Sequence, residues 1–526
     1  LYSNRISREV FPGIIKPLIW SVNVPLVNGA WVKLLTEIIG PNDIQPESLA
    51  GCFYSRAYFN MGALGQVFEL LGLPRETLEL LMGIEVEGPE RPSFKPSPGT
   101  YVLLPRMLRF ALQKARFGRQ VDSFWPAMEQ EFRAVRSRPV ADMDEGQLLD
   151  DIDRLCPLAK EAAYYNIVTP LLMQVYNRLL QGQLGRLGVD FERFDLTGGL
   201  EMEPFAPNVR LARMAQIYNS LDDDLKAGIR ASAYEQLATL PEAAPLRREI
   251  QGFLEQFGHL SDSGNDFSHQ PWRENPDLIL QMIAHHVPAE GAVVHKVQVK
   301  DLALSPLRRP LFKAIYHRAR RFRWYREAVS SLYTFGYGLF RDRFLALGAH
   351  FVRRGLLAQK DDIFYLYFDE VRQIVRAGRL ERDSLALARE RKAEIERVRD
   401  VAVPDILFGD RAPALAPDPG KGLKGIPTSR GHHTGPARIL KGIQDFDKLQ
   451  EGDVLIIPYS DVGWTPLFTR AGGVIAESGD ILSHSSIIAR EYGIPAVVSV
   501  PGACQIADGT LGTVDGYRGK ILVHGS

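Results

Sequence analysis

This sequence predicts a multidomain protein: a large, mainly α-helical region followed by a small C-terminal α/β domain. Three observations predict it. Apolar residues in residues 1–402 recur at intervals of three and four, the period of a helix with one buried face. Residues 403–424 are rich in proline, glycine and alanine, the composition of a linker. Residues 472–498 read as strand, loop, short helix and strand, with two all-apolar strands of the kind buried in a parallel sheet.

The helical periodicity is clearest at Leu104, Met107, Leu108, Ala111, Leu112 and Ala115. It returns at Leu155, Leu158, Ala162, Tyr165, Val168, Leu172, Val175 and Leu179. Breaks rich in proline and glycine at 88–100 and 198–207 mark sub-boundaries within the helical region. Residues 381–400 read as a charged, solvated helix. Residues 425–526 form the second domain, with Val474-Ile475-Ala476 and Ala496-Val497-Val498 as buried strands. Gly493 falls where a helix C-cap belongs, and Pro495 follows it.

Composition narrows the function classes. Apolar residues make up 45% and charged residues 24% of the chain, ordinary globular values. The net charge is zero, so no broad basic field draws in nucleic acid or an acidic membrane. The three cysteines, Cys52, Cys156 and Cys504, have no paired spacing, which argues against a thiolate metal site and suits a reducing cytoplasm. No apolar run is expected to be long enough to span a bilayer. The adjacent pairs His285-His286 and His432-His433 are poor two-ligand sites, because neighbouring side chains diverge. Residues 420–425 resemble a phosphate loop only in composition and read as linker.

His484 stands where the loop becomes the helix, among Ser483, Ser485 and Ser486. A helix N-terminus presents unpaired N–H groups and a partial positive charge, and both favour a phosphate. A neutral imidazole is nucleophilic near pH 7. The alternative is a polar loop histidine with no special role.

The stretch from Gly472 to Val498 resembles the phosphohistidine swivelling, or mobile, domain of the PEP-utilising enzymes. That family includes phosphoenolpyruvate synthase, pyruvate phosphate dikinase and rifampin phosphotransferase. The resemblance runs over 425–526. Residues 425–429 through 435–439 look like its opening strand pair, 461–467 its threonine-containing loop, and 508–516 its closing hairpin. It implies that His484 carries a phosphoryl group, with Thr465, Ser483, Ser485 and Arg490 as its catalytic surroundings. No metal ligands are implied in this chain. The order of parts is similar to that of rifampin phosphotransferase, with a helical substrate domain ahead of the histidine domain. The resemblance further implies ATP and Mg²⁺ on an ATP-grasp domain, which is expected as a separate domain or subunit and not between Leu1 and Ser526. The acceptor is expected to be a small molecule, with no nucleic acid or membrane partner.

Two segments of the helical region are candidate acceptor sites. Arg318, Arg320, Arg321, Arg323 and Arg326 form a run that is either a surface helix with snorkelling arginines or a phosphate-binding face. In the family's pattern Arg326 and Glu327 stand at the acceptor, with a lysine following, where this chain has Ser330. The second segment, Phe257-Gly258-His259 through Asp266, offers His259 as a base for a substrate hydroxyl and Asp266 beside it. It lacks charges that the relatives carry near Leu260 and Gly264. Asp480 replaces a glycine usual before the histidine loop and is expected to turn toward the ring or to solvent.

The expected function is therefore an ATP-dependent, dikinase-like phosphoryl transfer through His484. Alternatives are a PEP-synthase-like or carboxylate-activating ligase subunit of the same family, or a non-catalytic binding subunit with a vestigial histidine.

Overall fold

The computed structural model describes all residues except 1, 5–6, 8–10, 12, 71–97, 197, 199–201, 232, 285–296, 400–402, 404–405, 408–422, 461, 480–482 and 525–526. Asp480, the pair His285-His286, most of the 88–100 break and most of the 403–424 segment lie outside the described residues.

Helices dominate the first part. Phe117–Arg136 (α1), Glu145–Gly185 (α2), Pro207–Asn219 (α3), Ala244–Phe257 (α4), Pro276–Ala284 (α5) and Arg309–Arg353 (α6) are its main members. The start of α2 is fixed by a reciprocal cap. Asp144 accepts from the Gln147 N–H at 2.8 Å, and the Gln147 side chain accepts from the Asp144 N–H at 3.0 Å. Along their length α2 and α6 bury one continuous apolar face that includes Leu148, Ile152, Leu155, Phe340, Phe344 and Leu347. Arg343 lies in that core. It donates to the Val135 carbonyl at 2.6 Å and reaches Asp151 at 3.4 Å, so its charge is met where water is absent.

Two expectations are corrected here. Pro17–Ile39 is helical and, by length and composition, apolar enough to cross a membrane; 67% of its apolar window is buried inside the protein. Leu18, Ile19, Val22, Leu26 and Leu34 belong to the main core, which is why the segment is so apolar. The helical region also contains a small antiparallel sheet of Tyr2–Ser3 (β1), Ala50–Phe53 (β2), Arg56–Asn60 (β3) and Ile406–Leu407 (β4), in the order β2-β3-β1-β4. Strand β4 falls inside the segment read as linker and pairs with β1 through Tyr2↔Leu407 and Ser3↔Ile406. Two-residue strands carry no readable alternation, so periodicity cannot find them.

The C-terminal part is a seven-stranded mixed sheet. Its strands are Ile426–Ser429 (β5), His432–Ile439 (β6), Val454–Ile457 (β7), Gly473–Ala476 (β8), Ala496–Val498 (β9), Leu511–Asp515 (β10) and Lys520–Val523 (β11). The order is β11-β10-β6-β7-β8-β9-β5, with β6 to β9 parallel. Strands β8 and β9 are buried parallel neighbours, as their composition predicts. The opening strands β5 and β6 do not pair with each other. β5 pairs with β9, whereas β6 pairs with β7 and β10, so the chain crosses the sheet between them.

The two parts share one apolar cluster. Leu211, Phe253, Trp272 and Ile279 of the helical region pack with Leu455, Trp464, Phe468 and Ile488 of the sheet domain. Trp464 donates its indole N–H to the Asp262 carbonyl at 3.3 Å. A Cβ on Gly463 would lie 2.6 Å from the Ser261 carbonyl oxygen, so glycine permits this close approach.

Candidate active site

The site begins at the turn between β8 and the helix His484–Tyr492 (α8). Gly479 has φ +133°, a conformation that favours glycine, and a Cβ there would also meet the Ser483 Oγ at 2.9 Å. Ser483 is the extended N-cap, and His484 is the first helical residue. Gly493, at φ 68°, closes the helix in the left-handed conformation. His484 is therefore fixed to the end of α8 that favours a phosphate.

Thr465 opens the one-turn helix Thr465–Phe468 (α7) and is almost fully buried. Its Oγ1 lies 2.7 Å from the Nε2 of His484. A hydroxyl can donate to one ring tautomer or accept from the other, so this bond orients the imidazole in either state. The Ser483 Oγ stands 3.1 Å from the Ser485 Oγ and 2.9 Å from the Ser486 Oγ. These three hydroxyls form a polar lining at the start of α8.

A cavity of about 400 Å³ opens in front of His484, between the sheet domain and the helical region. His484, Ser483 and Ser485 line it on one side. Arg323, Arg326, Glu327 and Ser330 line it from α6. Their spacing puts Arg323 next to Arg326 and Glu327 on one helix face. Arg326 pairs with Glu327 at 2.6 Å. The Nε of Arg323 is buried without a hydrogen-bond partner. Asn166, Asn208 and Asn265 complete the polar lining, and the Asn208 Oδ1 is likewise buried without a partner.

Other candidates lie elsewhere. Arg490 does not line the cavity; it donates to the Thr428 carbonyl at 3.0 Å and ties α8 to β5. His259 and Asp266 line a separate, much smaller space of about 20 Å³. Burial first, and then the nearby Arg273 and Arg136, push the His259 imidazole down to about 3, and neither ring nitrogen has a hydrogen-bond partner. Asp266 accepts from the Ser268 N–H at 2.8 Å and faces His269 at 3.7 Å. Arg318, Arg320 and Arg321 are engaged along α6 with Tyr176, with the Gly198 carbonyl, and with Asp122 and Tyr325. For them the surface-helix reading holds.

Sequence reasoning had Arg323 only as one member of the arginine run, and did not single out Asn166, Asn208 or Asn265. The one signal available was the i, i+3 spacing of Arg323 and Arg326. The asparagines come from separated segments and carry no local pattern. Among the described residues, no three of His, Cys, Asp and Glu gather into a metal site.

Comparison with known proteins agrees with this division. Residues 449–519 match the family described as PEP-utilising enzyme, mobile domain, and residues 171–327 match the rifampicin phosphotransferase fourth domain. The chain is 29% identical over 313 residues to the rifampicin phosphotransferase of Streptomyces sviceus, covering 55% of this chain and 36% of that protein. It is 27% identical over 313 residues to the rifampicin phosphotransferase of Bacillus subtilis, with the same coverage. An uncharacterized phosphotransferase of Bacillus subtilis, YvkC, is 28% identical over 317 residues, or 55% of this chain and 38% of that protein. The chain thus spans little more than a third of the length of these relatives. His484 lies in one matched segment and Arg323, Arg326 and Glu327 in the other, and the two meet at the cavity. Over these two segments the chain is similar to the PEP-utilising enzyme mobile domain and to the rifampicin phosphotransferase fourth domain.

Proposed function

We propose that His484 receives a phosphoryl group from ATP, through a separate ATP-grasp domain or subunit, and passes it to a hydroxyl of a small organic acceptor. The setting is the cytoplasm. ATP and Mg²⁺ belong, on this reading, to the ATP-grasp part. The observation that carries the proposal is the shared cavity: an imidazole at a helix N-terminus faces two arginines on α6.

Each residue then has a physical task. Thr465 holds the ring in one orientation. The first-turn N–H groups of α8 and the adjacent hydroxyls stabilise phosphate oxygens on His484. In the second half-reaction, the acceptor oxygen attacks phosphorus and the P–N bond breaks. The electron pair returns to the imidazole. Arg323 and Arg326 meet the charge that develops on the equatorial oxygens, and a guanidinium does this in two-pronged fashion. Glu327, one residue from Arg326, takes the hydroxyl proton. Neutral His259, outside this cavity and weakly basic, has no part in the step.

The test is phosphate labelling. The chain is incubated with ATP, Mg²⁺ and its ATP-grasp protein, and an acid-labile, base-stable label is followed. The label should appear on the wild type and vanish in His484→Ala. Label that survives this substitution would overturn the assignment.

A further inference from the structure

Three non-glycine residues among those described have a left-handed backbone: Tyr54, Ser55 and Ser499. A side chain crowds its own backbone there, so each case needs a reason. Tyr54 and Ser55 have one. They are the two loop residues between the paired Phe53 and Arg56 of β2 and β3, and a tight hairpin of this kind takes positive φ at both. Ser499, with φ 52°, follows β9 and joins no hairpin, since β9 pairs with β8 and β5.

Ser499 instead serves the turn that carries His484. Its Oγ donates to the Gly479 carbonyl at 2.5 Å, across 20 positions of sequence. Gly479 lies against β9 and the start of α8: a Cβ on it would stand 3.4 Å from the Val498 Cβ and 2.9 Å from the Ser483 Oγ. Gly479 and Ser483 line the cavity at His484, whereas Ser499 does not. The neighbours of this bond form a frame. Val500 donates its N–H to the Ala476 carbonyl at 3.1 Å, and Glu477 accepts from the Cys504 N–H at 2.8 Å. Glu477 and Ser478 donate their N–H groups to the carbonyls of Ile457 and Pro458 at 2.9 and 3.0 Å. The start of the turn is thus held from two sides, by the end of β7 and by the segment after β9.

A glycine at position 499 would adopt this φ without steric cost. What it would lack is the hydroxyl. Strained backbone persists where the surroundings over-determine it, and it gathers at functional sites. The serine takes the strained conformation and supplies a hydrogen bond that glycine cannot make.

We propose that Ser499 is a positioning residue for phosphoryl transfer, acting through Gly479 on the turn that seats His484 against Thr465. The inference rests on the reading of His484 as the phosphoryl carrier. The Ser499 hydroxyl touches neither phosphate nor acceptor. It fixes where the ring stands, and the ring nitrogen must face phosphorus in both half-reactions. Its loss lowers the rate of transfer and leaves the affinity for ATP as it was.

Three substitutions separate the hydroxyl from the backbone. Ser499→Gly removes the hydroxyl and relaxes the backbone; Ser499→Ala removes it and keeps the strain. Ser499→Thr keeps the hydroxyl and adds the strain of a β-branched side chain. With ATP, Mg²⁺ and the ATP-grasp protein, Ser499→Gly and Ser499→Ala should label His484 at least about tenfold more slowly, with the KM for ATP unchanged. Ser499→Thr should label at near the wild-type rate. Thermal melts should rank the three otherwise, Ser499→Gly highest and Ser499→Thr lowest. Rate then follows the hydroxyl while stability follows the backbone, a split that a merely structural role does not give. Should Ser499→Thr not fold, Ser499→Gly against Ser499→Ala carries the comparison. A second readout needs no partner. In spectra of the ¹⁵N-histidine-labelled chain, the ring resonances that His484→Ala removes should report one tautomer in the wild type. In Ser499→Gly and Ser499→Ala they should move toward the averaged values of a free imidazole. The proposal fails if Ser499→Gly labels as the wild type does, or if its His484 resonances stay in place. Absence of label on the wild type sinks the carrier reading instead, and the spectra then decide by themselves whether Ser499 seats the ring.

Discussion

Thr465 and His484 are 19 positions apart in the chain, yet their side chains meet at 2.7 Å. That bond makes Thr465 a positioning residue. Its replacement by Val keeps the shape and removes the bond, so phosphorylation of His484 should slow while the acid lability of the label stays the same. On the proposed mechanism Arg323 and Arg326 act later. Their separate replacement by Ala should lower transfer from phosphohistidine to acceptor by about 100-fold each, the usual loss for one transition-state donor. Labelling of His484 by ATP should be unaffected, and single-turnover kinetics separates the two steps. His259 gives a different signature. Its folded-state value of about 3 lies below the ordinary 6.5, so in that window the unfolded chain binds a proton that the native protein does not. The resulting destabilisation is absent above pH 6.5 and grows as pH falls toward 3. Urea midpoints should show the wild type losing up to about 1.4 kcal/mol more per pH unit than His259→Gln on acidification through this window.

At the scale of the element, α8 and α2 were legible for different reasons, whereas α6 showed in the sequence only as an arginine run. Gly493 and Pro495 end α8 with local chemistry that any reader of the chain can see. In α2 the apolar period at Leu155, Ala162 and Val168 marks the buried face, whereas Val175 and Leu179 of the same pattern, and Leu104, Leu108 and Leu112 of the other, are exposed. What periodicity does not show is the closeness of packing. Gly336 on α6 faces Phe132 on α1 so tightly that a Cβ would fall 2.2 Å from the ring. Gly336→Ala should therefore destabilise the helical region by about 1–3 kcal/mol despite its better helix propensity. A lowered urea midpoint with an unchanged slope would show it; a raised midpoint would show that the ring moves aside without cost. Strands β1 and β4 were not legible, because each has two residues and they pair across more than 300 positions (Tyr2 against Leu407), and the local pair of β2 and β3 was missed because it carries no clean alternation.

At the scale of the molecule, the mobile domain is docked by apolar contact and by the close approach at Gly463. On the proposed function, the domain has to leave this position to meet an ATP-grasp partner. Gly463→Val puts two methyl groups against the Ser261 carbonyl and should raise the undocked population without unfolding either part. Single-molecule distances between labels on α6 and on β11 report it; a single unchanged distance in the variant would show that Gly463 does not govern docking. The isolated chain should show no micromolar binding of ATP by calorimetry, since the described residues that face His484 serve the phosphohistidine and the acceptor on the proposed mechanism.

The sequence by itself determined the division into a helical part and a small α/β part. It also determined the place of His484 at a helix start, and the strands that carry it. These follow from period, capping and local composition, all of which act within a few residues. The tertiary structure decided which candidates lie together. It set Arg323, Arg326 and Glu327 before His484, moved His259 and Asp266 into another space, and gave Arg490 a bracing contact with β5. It also walled a second cavity of about 580 Å³ with Asn4 and Lys16 of the helical region and Lys441 of the sheet domain. None of this is written locally, because a cavity wall is assembled by packing between segments that sequence separation leaves unrelated.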